Sequence, residues 1–302
     1  MEQLTKTYTP EIESKYDFND GFKLCCKVLR KRVREDYDAV VGITGDEGVS
    51  KSTLANQIGF GVDDKYNLEI NVLYTPNKEN MKAAIQNLPR FSAINGDEAI
   101  KILYKLRWWS PLQIFMNTFY RLCREENKIS IFPMPRFSDF NEGFRNHRIM
   151  IWIYVLERGL GVAFEKDWSP FAKDPWWMDE NQKMIDKYRL GKKMSEFTIE
   201  RKLHVLQKSR NFLGVITFPD LEPDKRLLYK QLKQQHTYEG IDEEYREGER
   251  FVKLRKKSTK EKKLLIEALL QEGYSQSKIG DILRVSPSAI SQLLSYKDPD
   301  II

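Results

Sequence analysis

The stretch Gly45-Asp46-Glu47-Gly48-Val49-Ser50-Lys51-Ser52-Thr53 decides the fold of this chain. It follows the apolar run 39–44, which predicts a buried strand, and it precedes 54–58, which continues as a helix. Its glycines allow the backbone to turn N–H groups towards an anion, and the helix N-terminus adds positive potential. A strand, a glycine-rich loop and a helix in this order predict a phosphate-binding loop. The alternative is a glycine-rich turn that happens to precede a lysine.

Two side chains of this loop have chemical roles in the pattern G-x-x-x-x-G-K-[ST]. Lys51 would reach the terminal phosphates of a nucleotide, and the Ser52 hydroxyl would ligate magnesium. We therefore expect ATP and Mg²⁺ as cofactors. The residues expected to contact the nucleotide are Gly45, Asp46, Glu47, Gly48, Val49, Ser50, Lys51, Ser52 and Thr53.

A second candidate site is the carboxylate pair Asp97-Glu98, which ends the apolar segment 91–98. This segment predicts a strand, and ligands of open α/β sheets bind at the carboxyl ends of strands. We expect Asp97 to hold the magnesium ion and Glu98 to polarise the attacking water. Asn95 and Gly96 interrupt the apolar run, and an Asp-Glu pair alone is common on protein surfaces.

The rest of the chain predicts an α/β fold with a parallel P-loop sheet and a small all-α C-terminal helix-turn-helix domain, because strands alternate with helices. The expected strands are 39–44, 68–74, 91–98, 129–134 and 149–156, and the first helices are 21–35, 77–88 and 111–126. The expected domains are a flexible N-terminal arm at 1–20, a P-loop ATPase core at 21–165, a helical, loop-rich extension at 166–250, and a basic connector with the helix-turn-helix at 251–302.

Three short helices are expected near the C-terminus, at 260–273, after Ser275, and at 288–294. The segment 274–294 is similar to the helix-turn-helix units of regulators and recombinases, which implies double-stranded DNA as a partner. A three-helix packing module that binds no DNA is the alternative. The candidate DNA contacts are Lys256, Lys257, Ser275, Gln276, Ser286, Ser288, Ser291 and Gln292.

Composition narrows the class of protein only slightly. The 302 residues have a net charge of +6, which is compatible with an acidic partner. Three cysteines indicate a reducing compartment without a disulfide framework, and three histidines form no metal motif. The N-terminus resembles no signal peptide, and the longest apolar run, 149–156, is too short to cross a bilayer. We expect a cytoplasmic protein without a membrane span.

The two motifs together carry a family resemblance. Lys51-Ser52 with Asp97-Glu98 resembles the additional-strand P-loop ATPases, the class that contains AAA+ and RecA-like motors. The triplet 97–99, a following helix and a short strand are similar to the FtsK–HerA, Zot-like and viral packaging ATPases, over roughly residues 36–160. That helix carries Asn117, Arg121 and Arg124.

The resemblance implies a RecA-like or AAA+-like sheet and a homo-oligomer, with a ring as one form. Motors of this class lend an arginine to the neighbouring subunit's site, where it stabilises charge on the transferred phosphoryl group. Arg145 and Arg148 are the first candidates for a catalytic role in trans. Arg121, Arg124 and Arg136 are the others, and for each of the five the alternative is a position on a solvated helix face.

Two features depart from the family pattern. Ser50 stands where the loop has its last glycine, which puts the strength of nucleotide binding in doubt. The fourth strand ends in Pro133-Met134-Pro135-Arg136, without an Asn, Gln or Thr that would sense the γ-phosphate.

Three functions fit these features. The first is an ATP-hydrolysing, DNA-handling motor of the packaging or translocation type, from a virus or a mobile genetic element. The second is a nucleotide-switched DNA-binding regulator or replication initiator, and the third is a transposition-type ATPase that loads partner proteins on DNA. A terminase would also need a nuclease with clustered carboxylates, and the sequence after residue 160 shows no convincing one.

Overall fold

The structure is a computed structural model that describes residues 15–104, 120, 124–189, 192–283 and 285–295. The side chains of residues 101, 237–258 and 287 lie outside this description. The chain divides into two compact units, Met1–Thr237 and Tyr238–Ile302.

A seven-stranded sheet forms the centre of the first unit. Its strands are β1 (Ala39–Gly45), β2 (Val72–Leu73), β3 (Ala93–Gly96), β4 (Ile129–Pro133), β5 (Ile151–Glu157), β6 (Leu160–Glu165) and β7 (Phe212–Thr217). Their order in space is β2-β3-β4-β1-β5-β6-β7. The strands β1 to β5 are parallel, and β6 and β7 are added antiparallel beside β5. The expected α/β class with a mostly parallel sheet is confirmed.

Helices connect and cover these strands. They are α1 (Asp20–Arg34), α2 (Lys51–Val62), α3 (Lys78–Asn87), α4 (Ile100–Leu103), α5 (Glu142–His147), α6 (Met178–Arg189), α7 (Ile199–Leu206), α8 (Pro223–Gln271), α9 (Gln276–Leu283) and α10 (Pro287–Ser295). Short 3₁₀ turns occupy Arg124–Glu126, Phe137–Asp139 and Met194–Glu196. The predicted helix 111–126 lies outside the described residues except at 120 and 124–126.

The core explains why β1 lies in the middle of the sheet. All seven residues of β1 are buried. One apolar cluster contains Leu29 of α1 and Leu54 of α2, and a second contains Ile94 and Phe132. Burial of both faces is typical of a parallel strand covered by helices, and it fixes the position of the loop that follows β1.

The apolar residues of helix α1 do not all face the core. Leu24 and Val28 are exposed, whereas Cys26 and Val33 are buried. The thiols of Cys25 and Cys26 are core groups, and burial raises the pKa of Cys26 to about 12.

The predicted strand 68–74 is wrong in extent, because β2 has only two residues. The Asn67 side chain accepts a hydrogen bond from the Glu69 N–H, and the Asn71 N–H donates to the Asn67 carbonyl. Such local asparagine bonds favour a turn over an extended strand. Leu68 is buried within this turn. The alternation of apolar residues in 68–74 therefore reflects burial and not pairing with a neighbouring strand.

Strands β6 and β7 were not predicted. The hairpin between β5 and β6 turns at Gly159, whose φ of +87° lies in the left-handed region that favours glycine. Strand β7 comes from the segment assigned to the extension, yet it pairs with β6 in the main sheet.

The second unit contains a small apolar core of Ile266, Ile279 and Ile290, which join the end of α8 to α9 and α10. The expected basic connector belongs to α8, which continues without a break to Gln271. Gly273, at φ +86°, follows the end of this helix. Among the described residues, no helix combines the length and apolarity needed to cross a bilayer.

Candidate nucleotide-binding site

The loop between β1 and α2 contains three residues with positive φ. Gly45 lies at +152°, Gly48 at +80° and Ser50 at +72°. A Cβ on Gly45 would lie 2.6 Å from the Val155 carbonyl oxygen, so the strand beside it excludes a side chain there. Ser50 therefore adopts a left-handed backbone conformation. Glycine, which the motif has at this position, would adopt the same conformation without strain.

The glycine variant Ser50→Gly should raise the free energy of unfolding by about 1 kcal/mol, because it removes the cost of a left-handed L-residue. It also removes the Ser50 Oγ, which is buried and has no hydrogen-bond partner within the described part of the chain. Urea denaturation of the full chain measures the change. Ser50→Ala is the matched control, since it deletes the hydroxyl but keeps the backbone strain. Equal stability of the two variants would contradict a contribution from the backbone.

Lys51 is folded back over this loop. Its Nζ donates hydrogen bonds to the carbonyl oxygens of Gly45, at 2.8 Å, and Asp46, at 2.7 Å. Burial lowers the pKa of Lys51, while the carboxylates of Asp46, Glu47 and Glu98 act in the opposite direction. The ammonium is therefore held at the mouth of the loop, where a phosphate anion would find it.

Ser52 and Asp97 meet across the site. The Ser52 Oγ donates to Asp97 Oδ1 at 2.8 Å, and the Asp97 side chain is only 2% exposed. Ser52 lies in the first turn of α2, and Asp97 directly follows β3. The fold therefore brings together the two expected metal ligands, which are 45 positions apart in the sequence.

Hard oxygen donors of this kind suit Mg²⁺, which proteins bind through one or two carboxylates completed by substrate phosphates and water. The donor chemistry of Ser52 and Asp97 therefore fits a magnesium ion that arrives with a nucleotide. Among the residues that the structure describes, no three His, Cys, Asp or Glu side chains form a metal-binding group on their own.

Asn95 and Gly96 have structural reasons for interrupting the apolar strand. The Asn95 Nδ2 donates to Asn56 Oδ1 at 2.9 Å, and the Tyr66 hydroxyl donates to the same oxygen at 2.8 Å. A Cβ on Gly96 would lie 2.8 Å from the Phe132 ring. These contacts tie β3 to α2 and β4, and they fix the backbone that presents Asp97.

Glu98 has an uncommon backbone conformation, with φ at +57°. A non-glycine residue in this region is strained by about 1–3 kcal/mol, and such strain is concentrated at functional sites. The Glu98 side chain is about half exposed and lies beside the loop cavity. An accessible carboxylate next to the loop is the arrangement that a water-activating base requires.

Helix α8 supplies two further groups to the site. The Tyr229 hydroxyl donates to Asp97 Oδ2 at 2.5 Å. Lys233 Nζ lies 3.0 Å from Asp97 Oδ2 and 3.1 Å from Glu98 Oε1, so one ammonium bridges both carboxylates. Burial lowers the pKa of Lys233, but the carboxylates of Asp97 and Glu98 outweigh burial, so the pKa is raised above its ordinary value.

A cavity of about 410 Å³ connects the loop with these groups, a volume in the range of small-ligand sites. Its charged and polar lining includes Lys51, Ser52, Asp97, Glu98, Arg158 and Lys233. The tip of β4 contributes only Pro133, Met134 and Pro135. Two larger cavities, of 620 and 690 Å³, lie around Phe18 and Phe22 and contain none of the charged groups of the loop site.

The candidate trans arginines lie away from this cavity. Arg148 precedes β5 and forms an ion pair of 3.7 Å with Asp38, which precedes β1. Both residues therefore lie at the amino edge of the parallel strands, opposite the phosphate loop. The Arg145 Nε donates to Asn146, and the Arg145 carbonyl accepts a hydrogen bond from the Trp176 indole. A role in a neighbouring subunit's site stays a prediction for both.

The other candidate arginines have different positions. Arg124 stacks its guanidinium over the Tyr37 ring at 4.9 Å, and Arg136 precedes the 3₁₀ turn Phe137–Asp139. Asn117 and Arg121 lie outside the described residues.

The candidate DNA contacts fall into three groups. Ser288 and Gln292 are exposed on α10, one turn apart, and the Ser288 hydroxyl forms a hydrogen bond of 2.9 Å with the Ser286 hydroxyl. Four others have contacts within the fold: the Ser291 hydroxyl donates to Gln276 at 3.3 Å, Ser275 accepts from the Lys278 N–H, and Ser286 accepts from the Ala289 N–H. The side chains of Lys256 and Lys257 lie outside the description.

Sequence reasoning missed three residues of the cavity. Arg158 directly follows β5, the strand next to β1, so its position at the carboxyl edge was a usable signal. It forms an ion pair of 3.6 Å with Asp220. Tyr229 and Lys233 carried no local signal, because their contacts with Asp97 span 132 and 136 positions.

Comparisons with known proteins add little to this geometry. No family model matches the chain, and no curated protein matches it. A solved structure, entitled "Structure of E. coli MS115-1 HORMA:CdnC:Trip13 complex", is similar at 12% identity, covering 67% of this chain and 90% of that chain with a TM-score of 0.31. A similarity at this level carries no argument about function.

Proposed function

We propose that this chain is a magnesium-dependent ATPase that handles double-stranded DNA, as a packaging or translocation motor of a virus or mobile genetic element. The observation that carries the proposal is the hydrogen bond between Ser52 and Asp97, formed beside Lys51 and Glu98 at the carboxyl ends of β1 and β3. A loop lysine, a hydroxyl, a buried aspartate and an accessible glutamate are the groups that phosphoryl transfer uses.

Each of these residues has a task in hydrolysis. Lys51 and the loop N–H groups bind the phosphates, and Ser52 with Asp97 would hold Mg²⁺, which neutralises phosphate charge when bound. Glu98 accepts a proton from water, and the resulting oxygen nucleophile attacks the γ-phosphorus. The bond from the γ-phosphorus to the β–γ bridging oxygen breaks, which releases ADP and inorganic phosphate.

The strand order supports a relation to the additional-strand ATPases. Strand β4 lies between β1, which precedes the phosphate loop, and β3, which precedes Asp97. A strand inserted at this point is the feature for which that class is named. On this basis we extend the proposal to a RecA-like or AAA+-like homo-oligomer, such as a ring, in which Arg145 or Arg148 acts in trans.

The proposal assigns DNA binding to α9 and α10, as the two helices of a helix-turn-helix unit. Exposed polar side chains near the start of α10 are suited to base edges, while lysines of the preceding helix would neutralise phosphates. The sparse cysteines fit a cytoplasmic protein of this kind.

Replacing Ser288 and Gln292 together by alanine should change sequence preference more than overall affinity. Base contacts specify the sequence, with about 1–3 kcal/mol of discrimination for each good pair, whereas phosphate contacts set affinity and its salt dependence. Fluorescence anisotropy of the full chain with a panel of duplexes, over a salt series, measures both. Ser295→Ala, at the end of the same helix, is the control. Identical sequence preferences for the variant and the parent would indicate a packing module instead of a DNA reader.

A nucleotide-switched DNA-binding regulator or initiator is the second candidate, and the Lys233 bridge favours it. An ammonium on both Asp97 and Glu98 opposes fast hydrolysis, because it occupies carboxylate oxygens that would otherwise contact magnesium and the attacking water. Phosphate release with and without duplex DNA separates the candidates. Hydrolysis strongly stimulated by DNA supports the motor, and slow hydrolysis that DNA does not change supports the switch.

A further inference from the structure

Lys233 is a charged group of the cavity to which the proposed hydrolysis assigns no task. It belongs to α8, which is remote in sequence from both nucleotide motifs, yet its Nζ contacts Asp97 and Glu98 at 3.0 and 3.1 Å. Its side chain is one-third exposed, and it lines the same cavity as Lys51 and Ser52. The ammonium is therefore directed into the space that the terminal phosphates would enter.

The two proposed roles of the carboxylates conflict with this bridge. A magnesium ion held by Ser52 and Asp97 would bring a second positive charge beside the Lys233 ammonium. Lys233 also occupies Glu98 Oε1, at 3.1 Å, an oxygen with which the attacking water would hydrogen-bond. In the proposed reaction Lys233 therefore leaves at least Glu98, and its partly buried ammonium then contacts another anion.

The tip of β4 offers no polar side chain that could contact a γ-phosphate. Its residues at the cavity are Pro133, Met134 and Pro135, none of which carries a side-chain hydrogen-bond donor. The polar groups of the cavity outside the two motifs come instead from Arg158 and from α8. Arg158 already has an ion pair with Asp220, whereas Lys233 contacts the carboxylates at which the reaction would take place.

We propose that Lys233 is the γ-phosphate ligand of this site, supplied by α8 of the same chain, and that it moves from Glu98 to the γ-phosphate when ATP binds. This inference rests on the proposed ATPase function and adds a positioning residue to it. Through this exchange Lys233 Nζ distinguishes ATP from ADP, because ADP has no γ-phosphate for it to contact. It also leaves Glu98 Oε1 open to a water molecule only when ATP is present.

The decisive experiment compares ATP and ADP affinities. Lys233→Met should weaken binding of a non-hydrolysable ATP analogue by about 10- to 100-fold, the size expected for a lost hydrogen bond between charged groups, and should change ADP affinity by less than about threefold. Isothermal titration calorimetry of the full chain with Mg²⁺ measures both affinities. Lys230→Met, an exposed lysine one turn earlier on α8, is the matched control. Lys233→Arg keeps the positive charge and should restore part of the preference for ATP.

The possible outcomes are distinct. Equal effects of Lys233→Met on both nucleotides would overturn the inference and leave Lys233 as a structural clamp on the carboxylates. Faster hydrolysis with unchanged ATP affinity would also overturn it, because Lys233 would then only obstruct the site. A parent chain that binds neither nucleotide would instead refute the proposed ATPase function. Should Lys233→Met not fold, Lys233→Gln, which retains a donor for Asp97, tests the same ratio.

Discussion

Replacing Lys51 by alanine should abolish magnesium-dependent ATP binding, with a loss of affinity of about 100-fold or more, because two or more charge-assisted hydrogen bonds to phosphate are lost. In the structure the ammonium is placed over the loop by the Gly45 and Asp46 carbonyl oxygens. These neutral acceptors are weaker partners than a phosphate, so Lys51 can turn towards the ligand at little cost.

Fluorescence of a labelled ATP analogue, titrated with the full chain, measures this loss. Lys65→Ala is the matched control, since Lys65 is an exposed lysine shortly after α2 and does not line the cavity. The variant should stay folded, because Lys51 contributes two hydrogen bonds to the loop and forms no ion pair among the described residues. ATP affinity unchanged in Lys51→Ala would place the nucleotide elsewhere in the molecule.

Replacing Glu98 by glutamine should leave ATP bound and slow its hydrolysis by about 10²- to 10⁴-fold, the usual contribution of a general base. Glutamine has nearly the same shape and keeps a carbonyl oxygen for Lys233, but it cannot take a proton from water. The Ser52–Asp97 bond does not involve Glu98, so the proposed magnesium ligands stay intact.

Single-turnover phosphate release measures the chemical step, and nucleotide titration on the same variant measures binding. Glu79→Gln, an exposed glutamate in the first turn of α3, controls for the loss of one negative charge. A turnover rate equal to that of the parent would remove Glu98 from its role as the base. Loss of binding and turnover together would assign it to nucleotide binding instead.

Local patterns predicted the centre of the fold well. The stretch 39–62 carries its own strand, loop and helix signals, and the structure has β1, the loop and α2 at these positions. The helix predicted at 77–88 is present as α3, and Asn77 caps it, because its side chain and that of Asn80 form a reciprocal capping box. Such features depend on neighbours within a few residues, which a sequence displays directly.

Contacts between distant segments could not be predicted in the same way. The Lys233 bridge depends on α8 returning to the carboxyl edge of the sheet more than 130 positions after Asp97. Strand β7 joins the sheet only because β6 is available beside it, and the segment between them contains helices. Tertiary pairing decides both features, and local propensity carries little information about it.

The sequence indicated the two motifs of the candidate site, but not the groups that α8 adds to them. Asp97 was expected beside Ser52, and their 2.8 Å hydrogen bond places them so. The left-handed conformations of Ser50 and Glu98 had no sequence signal beyond the missing glycine at position 50. The contacts of Lys233 with both carboxylates emerged only from the assembled structure.

Equilibrium binding of ATP to the full chain, measured by calorimetry with and without Mg²⁺, tests the central claim most directly. We predict one nucleotide bound per chain, with affinity that falls when magnesium is withheld, because Ser52 and Asp97 would hold the ion against the phosphates. Failure to bind ATP at millimolar concentrations in the presence of magnesium would contradict the account.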